Sequence, residues 1–397
     1  MTTMDSSREI LWQPSAEDIT SSRLYEYRQW LTIKHGVNFS DYESLWQWSV
    51  DHPEVFWETI VSFFRVKFHS SYTAVLSGGP MPETIWFDGA TLNYAEHVFM
   101  GMKDQQVAIL FANEQGVDMS VSVSEMWREV TKLQRYFKSH GVRRGDRIAG
   151  YLPNIPQATY AFLAATSLGA IWSCCSQDFG VSSVVDRFAQ IEPVLFIAAD
   201  GYYYNGKTHT RLEEIDAVRH SLQSIRDTLL IDYTGAGKDV VQPGITSYDT
   251  LVDGEQEDPV FEAVTFDHPL WILYSSGTTG APKAITHSHG GCLLEHLKYL
   301  AFHNDVHAGE RFFWYTTTGW MMWNFLHGSL MLGATIVLYD GSPGYPDLDR
   351  LWAFSAEKDI QHFGTSAPYL VACMKEGIHP GSQHDLTSLR SIGSTGS

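Results

Sequence analysis

The chain of 397 residues has little cysteine: Cys174, Cys175, Cys292 and Cys373 are its four. None makes a C-x-x-C pair, so no disulfide framework is indicated, and buried or free thiols in a reducing compartment are expected. No run of about 18 apolar residues occurs, so no membrane-spanning helix and no membrane partner are expected. Met1 to Ile10 is polar and lacks the apolar stretch of a secretory signal, so a cytoplasmic (cytosolic) location is expected. Without secretion, Asn38-Phe39-Ser40 is a chance match to a glycosylation sequon. There is no Lys/Arg block, and 27 basic against 46 acidic residues give a net charge of −19. That excludes the electrostatic footprint of a nucleic-acid binder. Such a chain can still hold a polyphosphate, but only through local donors such as a Gly-rich loop or a helix N-terminus. Internal repeats and low-complexity tracts are also absent.

Aromatic residues are abundant: 13 Trp, 19 Tyr and 21 Phe, within a hydrophobic content of 44%. This composition supports a large buried core, and the length suits two or three domains. The first hundred residues read as helical and aromatic. Ser40 with Glu43 has the capping-box spacing. Leu45, Trp46 and Val50 then suggest a helical stripe. Pro53 suits the first turn of a second helix, with Val55, Phe56, Ile60 and Phe64 on its apolar face. Core packing is the favoured role for these aromatics.

From about residue 105 the pattern changes to alternating strands and helices. Strands are expected at Val107–Phe111, Arg147–Leu152, Val194–Ala199, Leu229–Tyr233, Leu270–Tyr274, Phe312–Thr316 and Thr335–Tyr339. Helices are expected around Met126–Phe137, at Gln157–Leu168, and over 291–302, 320–332 and 347–358. Continuously apolar strands alternating with helices predict an α/β fold with mostly parallel sheets covered by helices. Gly235 to Gly254 reads as a polar loop. Glu213-Glu214 and the acidic run from Asp253 to Asp258 read as solvated surface.

The sharpest chemical signal is Tyr274-Ser275-Ser276-Gly277-Thr278-Thr279-Gly280-Ala281-Pro282-Lys283, directly after an apolar strand. Gly277 and Gly280 let backbone N–H groups approach phosphate oxygens closely. The hydroxyls of Ser275, Ser276, Thr278 and Thr279 add donors, and Lys283 adds a point charge. It is not the common P-loop, because Ala281-Pro282 separates Gly280 from Lys283. Nor is a G-x-G-x-x-G dinucleotide fingerprint present. Composition alone would leave an ordinary Ser/Thr/Gly turn as an equal alternative.

The whole string resembles the signature of the adenylate-forming superfamily, whose members include acyl-CoA synthetases, luciferases and peptide-synthetase adenylation domains. The resemblance runs along nearly the whole chain. Trp86 to Tyr94 is similar to the entry into the catalytic domain of acetyl-CoA synthetase-like enzymes. Gly141 to Arg147 and Leu168 to Ser173 are similar to later turns of the same domain. It implies a helical cap over 1–98 and a nucleotide-binding (AMP-binding) domain over 99–397. Thr316-Thr317-Thr318-Gly319-Trp320-Met321-Met322-Trp323-Asn324 and Ser391-Ile392-Gly393-Ser394-Thr395-Gly396-Ser397 resemble the acetoacetate-activating branch rather than the acetate-activating one. An acetate or propionate enzyme remains an alternative, as does a non-catalytic nucleotide-binding or regulatory fragment.

The resemblance implies ATP, Mg²⁺ and CoA as cosubstrates and acetoacetate as the acid. An acyl-adenylate forms with loss of pyrophosphate, and the CoA thiol then displaces AMP. It implies phosphate contacts from Ser275, Ser276, Gly277, Thr278, Thr279, Gly280 and Lys283, with Lys283 and Thr278 catalytic and Thr278 also the metal contact. Gly393, Ser394, Thr395, Gly396 and Ser397 would lie beside the nucleotide, and Thr318, Gly319, Trp320 and Met321 beside the acyl group. Acetoacetate has a second carbonyl, which the hydroxyls of Thr316 to Thr318, or Asn324, could bond. Met322 and Trp323 are read as helix packing. Arg187 is either a contact to a CoA phosphate or an ordinary surface arginine. His287 and His289 have no evident further metal ligands and are read as packing near a helix start. The family's remaining motifs, its ribose-binding aspartate and its catalytic-lysine domain have no match before Ser397. A chain truncated in this way is expected to be inactive or severely impaired on its own, with its last strand lacking a downstream neighbour.

Overall fold

A computed structural model describes residues 12–252, 258–275, 280 and 282–395. Its centre is a pair of sheets. In the first, the strand order is Ile245–Ser247, Asp227–Ile231, Leu195–Ala199, Arg147–Tyr151, Ile171–Cys175, Pro269–Ser275, Lys283–Ser288. All neighbours run parallel except the last pair, which is an antiparallel hairpin. In the second, the order is Ser391–Thr395, His362–Ser366, Arg311–Trp314, Thr335–Asp340, Val107–Asn113, Asp118–Ser122. Here too only the last pair is antiparallel.

Successive side chains of a strand point to opposite faces, so an apolar strand must be covered on both. Ile148 packs into the layer between the sheets, and Ala149 packs outward. Phe312 and Phe313 divide in the same way in the second sheet. The shared middle layer holds the helix Pro156–Ser167, buried at every position but Gln157. Its Phe162 ring lies 5.7 Å from Trp271 and 5.8 Å from Trp323. Helices Val181–Phe188 and Leu212–Ser221 cover the outer face of the first sheet. Arg350–Glu357 and Ala367–Lys375 cover that of the second. The expected mostly parallel sheets covered by helices are therefore present, as two sheets sharing one core.

The helices expected over 291–302, 320–332 and 347–358 appear as His289–Phe302, Met321–Gly328 with a 3-10 turn Ser329–Leu332, and Arg350–Glu357. Three local expectations need correction. The capping box lies one residue later: Asp41 accepts from the Ser44 backbone N–H at 2.8 Å, and the Ser44 hydroxyl reaches back to Asp41. The stripe beyond it runs through Leu45 and Trp48, whose ring is 5.3 Å from Phe39, while Trp46 and Val50 stay exposed. Gly235 to Gly254 is not all loop, since Ile245–Ser247 extends the first sheet beside Asp227–Ile231.

Of the four N-terminal helices, Ala16–Ser21, Arg23–His35, Tyr42–Asp51 and Pro53–Phe63, the second and fourth dock on the helix His289–Phe302, and the first and third pack on them. Tyr27 stacks on Phe302 with centroids 4.7 Å apart, and Phe64 lies 5.6 Å from the same ring. The helix that follows the Gly-rich hairpin is thereby braced from outside. Among the described residues no helix is long and apolar enough to cross a membrane.

Candidate functional site

The Gly-rich string sits at the tip of the hairpin Pro269–Ser275/Lys283–Ser288, with Ser275 paired to Lys283. Leu270, Trp271 and Ile272 are buried and anchor the incoming strand. The string therefore leads into an edge strand, not straight into a helix. Ser276, Gly277, Thr278, Thr279 and Ala281 lie outside the described residues, as do Gly396 and Ser397, so the phosphate, catalytic and metal roles implied for them fall there too. Gly280 and Lys283 are exposed. Among the described residues, nothing lies within 4 Å of a Cβ placed at Gly280.

A brace behind the hairpin is absent from the motif reading. The Tyr274 hydroxyl donates to the Arg187 carbonyl at 2.8 Å, and Gln190 Nε2 donates to the Pro282 carbonyl at 2.9 Å. Arg187 belongs to this brace: its guanidinium lies 4.6 Å from the Phe179 ring and 5.9 Å from the Tyr274 ring, and donates to the Ser183 carbonyl at 2.7 Å. Both hairpin arms are tied to one helix and its C-terminal turn.

Beside the hairpin opens a cavity of about 790 Å³, within the range of small-molecule sites. Thr286, His287 and Ser288 of the hairpin form one wall. Gly393, Ser394 and Thr395 form another, and Met321, Met322 and Phe325 a third. Three segments singled out separately in the sequence thus border one space. Trp314, unnoticed there, also borders it, as does the helix His289–Phe302 through Cys292, Glu295, His296 and Tyr299. A Cβ at Gly364 would come within 2.1 Å of the Trp314 ring and one at Gly393 within 2.6 Å, so both glycines are required by this indole.

The segment after Trp314 divides. Thr316 and Thr317 face a second cavity. Thr318 is buried and donates its hydroxyl to the Leu152 carbonyl at 2.6 Å. A Cβ at Gly319 would sit 3.3 Å from the Ser176 backbone nitrogen. Trp320 is 59% exposed and, like Thr318, borders neither cavity. A turn in which the Trp320 N–H meets the Thr317 carbonyl at 3.3 Å sends neighbouring residues to different sides. Trp323 is fully buried, as helix packing requires. Asn324 is buried and borders neither cavity.

The second cavity, about 430 Å³, gathers the C-terminal ends of strands from both sheets. Asn154, Ser176 to Asp178, Tyr315 to Thr317 and Tyr339 to Gly341 border it, with Tyr202 to Tyr204 from the hairpin Gly201–Tyr204/Lys207–Thr210. In open α/β sheets such strand ends are where ligands bind. Gln177 Oε1 and Thr317 Oγ1 are buried there without hydrogen-bond partners. Asp340 accepts from the Tyr233 hydroxyl at 2.9 Å, and burial pushes its carboxyl up to about 7. Glu114 clasps the wall, accepting the backbone N–H groups of Asn205 (2.9 Å), Gly206 (2.8 Å) and Ser342 (2.5 Å). Only the position of these residues at strand ends could have signalled this site.

His287 accepts the Trp271 indole N–H at 2.8 Å, and His289 accepts the Tyr94 backbone N–H at 3.2 Å. Burial lowers both imidazole pKa values, so both act as packed neutral acceptors. Among the described residues no group of three His, Cys, Asp or Glu is placed to hold a metal ion. All four cysteines are buried, and burial pushes the Cys174 thiol up to about 12.

Comparison with known proteins gives two family matches: AMP-binding enzyme over residues 100–397, and acetyl-coenzyme A synthetase N-terminus over residues 42–98. An acetoacetyl-coenzyme A synthetase of Rhizobium meliloti is 42% identical, over 98% of this chain and 60% of its own length. One from Danio rerio is 37% identical, over 98% and 59%. The solved acetoacetyl-CoA synthetase of Streptomyces lividans superposes with a TM-score of 0.94 at 45% identity, covering 98% of this chain and 60% of that one. The chain thus spans about 60% of the length of the relatives it matches.

Proposed function

The chain belongs to the AMP-binding enzyme family, and from that premise we propose that it is the nucleotide- and acid-binding part of an acetoacetate–CoA ligase. The convergence of three motif segments on one cavity carries this reading: the hairpin below Ser275–Lys283, the Gly393–Thr395 strand and the start of the Met321–Gly328 helix. The names of the relatives at 36–45% identity direct the choice of acid to acetoacetate.

In this reading MgATP lies along the hairpin tip, with Lys283 and the hydroxyls of Ser275, Ser276, Thr278 and Thr279 around its phosphates. The backbone of Gly277 and Gly280 approaches the same oxygens, and Thr278 reaches a phosphate or Mg²⁺. Gly393 to Ser397 flank the nucleotide, and Met321 flanks the acyl group. The acetoacetate carboxylate attacks the α-phosphorus, the bond to pyrophosphate breaks, and a mixed anhydride forms. Positioning and charge neutralisation supply most of the acceleration of such a step. The CoA thiol then attacks the acyl carbon and AMP leaves. Arg187 is engaged in bracing the hairpin, so we assign the approach of CoA to the cavity at the strand ends, where Gln177 and Thr317 hold unpartnered polar atoms. Trp320 and Thr318 serve the turn between the cavities, and the acyl wall falls to Met321 and its neighbours.

Calorimetry with MgATP tests the nucleotide assignment. Lys283→Ala removes a charge-assisted contact worth roughly 1.5–3 kcal/mol, so affinity should fall on the order of ten- to a hundredfold. Unchanged affinity would remove the phosphate-loop assignment. Pyrophosphate exchange by the chain joined to the remaining length of its relatives should be faster with acetoacetate than with acetate. The reverse order would overturn the choice of acid.

A further inference from the structure

One group on the wall of the large cavity is not used by the reading above. His287, on the hairpin strand Lys283–Ser288, is half-buried and borders that cavity. Its cross-strand partner Trp271 packs into the core between the sheets, so the His287 ring stands on the same inner face of the hairpin. There Nδ1 accepts the Trp271 indole N–H at 2.8 Å. With Nδ1 turned back to Trp271, the opposite edge of the ring looks away from the core and into the cavity. Nε2, on that edge, has no hydrogen-bond partner among the described residues, yet it is not sealed off. On the same cavity His296 Nε2 and Asn304 Oδ1 are buried unpartnered atoms, whereas His287 Nε2 keeps accessible surface.

The Trp271 contact fixes the tautomer. An indole N–H only donates, so Nδ1 must present its lone pair to it. A neutral imidazole that accepts at Nδ1 carries its proton on Nε2. Adding a proton at Nδ1 would break the bond to Trp271, and burial lowers the pKa of the ring as well. The free edge of His287 is therefore a neutral N–H donor, aimed by an indole that is itself fully buried. Lys283 and His287 lie four residues apart on one face of the strand, about 13 Å at the usual rise. The charge at the hairpin tip and this neutral donor are thus separate places on one wall.

A neutral donor matches a neutral acceptor oxygen and gives little to a methylene. We propose that His287 is the specificity-determining residue of this cavity, donating from Nε2 to the ketone oxygen of a 3-oxo acid, with Trp271 as its positioning residue. This rests on the ligase reading and deepens it. The sequence-based candidates for that carbonyl lie elsewhere: Thr316 and Thr317 face the second cavity, Thr318 bonds Leu152, and Asn324 borders neither. The side chains of Thr286 and Ser288 alternate to the other face of the strand, and the Ser288 hydroxyl caps the helix that follows, accepting from the Gly291 N–H at 3.2 Å.

The test compares two stable sulfamoyl-adenosine analogues of the acyl-adenylate, one acetoacetyl and one butyryl, binding to the chain by calorimetry. The acetoacetyl form should bind roughly tenfold tighter, the value of one net hydrogen bond. His287→Phe should abolish that preference by weakening the acetoacetyl form alone. Trp271→Phe removes the donor at Nδ1, so it should weaken the preference and move the His287 ¹⁵N shifts towards a tautomer mixture, which a loss of packing alone would not do. Should either variant fail to fold, the unaltered protein decides: the His287 Nε2–H resonance should shift with the acetoacetyl analogue and not with the butyryl one, and equal shifts would count against the proposal. Equal binding of both analogues, or a preference that survives in His287→Phe, overturns the role of His287 and leaves the ligase reading intact. Binding of neither analogue overturns both.

Discussion

The two cavities are built differently. The larger one is bordered by segments that carry recognisable strings, each a short run of residues with a chemistry of its own. The smaller one is bordered by the ends of strands far apart in the chain, and its defining contacts, Glu114 with Asn205, Gly206 and Ser342, mean nothing until the two sheets are stacked. The difference shows where a sequence announces chemistry and where topology alone creates it. A loop that must meet phosphate oxygens is restricted residue by residue. A wall at strand ends is restricted only by where the strands stop.

The contrast can be sharpened first at Asp340, where the largest effect is expected. Its folded carboxyl is raised to about 7 from an ordinary 3.8, mainly by burial. The folded state therefore holds the proton more tightly than the unfolded one. The stability this contributes is complete below about pH 4 and is lost as pH rises through 7, at up to roughly 1.4 kcal/mol per pH unit. Asp340→Asn should flatten that fall when urea midpoints are compared between pH 4.5 and 7.5. A variant whose stability runs parallel to the parent would show that Asp340 does not titrate in this window.

A smaller effect is expected at the boundary of the large cavity. Gly393→Ala places a methyl 2.6 Å from the Trp314 ring, and overpacking of this kind costs about 1–3 kcal/mol. The urea midpoint should drop and the near-ultraviolet tryptophan signal should change. If only nucleotide binding weakens, the glycine serves the ligand and not the indole. Least of all should change at Trp320, which projects into solvent between the cavities. Trp320→Ala should alter stability by less than about 0.5 kcal/mol, and a larger loss would mean that this indole belongs to one of the walls.

Much of the fold was legible because its strands are continuously apolar and its helices periodic. Leu270 to Tyr274 and Thr335 to Tyr339 needed no tertiary information. The capping box moved by one residue because Asp41 caps as readily as Ser40, and an offset of one cannot be chosen by residue type alone. Ile245–Ser247 was hidden in a polar stretch because it is an edge strand of three residues, held by the register of its neighbour. At the site, the Gly-rich hairpin, Met321 and Gly393 were visible as strings. Trp314 and Gly364 were not, since they depend on contacts between distant segments. Trp320 shows the limit of such strings, because a place in a motif says nothing about which way a turn aims the side chain.

The central claim is that the large cavity and its hairpin, not the strand-end cavity, receive nucleotide and acid. Hydrogen exchange followed by mass spectrometry, with and without MgATP and acetoacetate, tests it most directly. The account predicts slower exchange in peptides covering 269–288 and 391–397, and unchanged exchange over the hairpin at 201–210. Protection confined to 201–210 and 339–344, with none at 269–288, would contradict it.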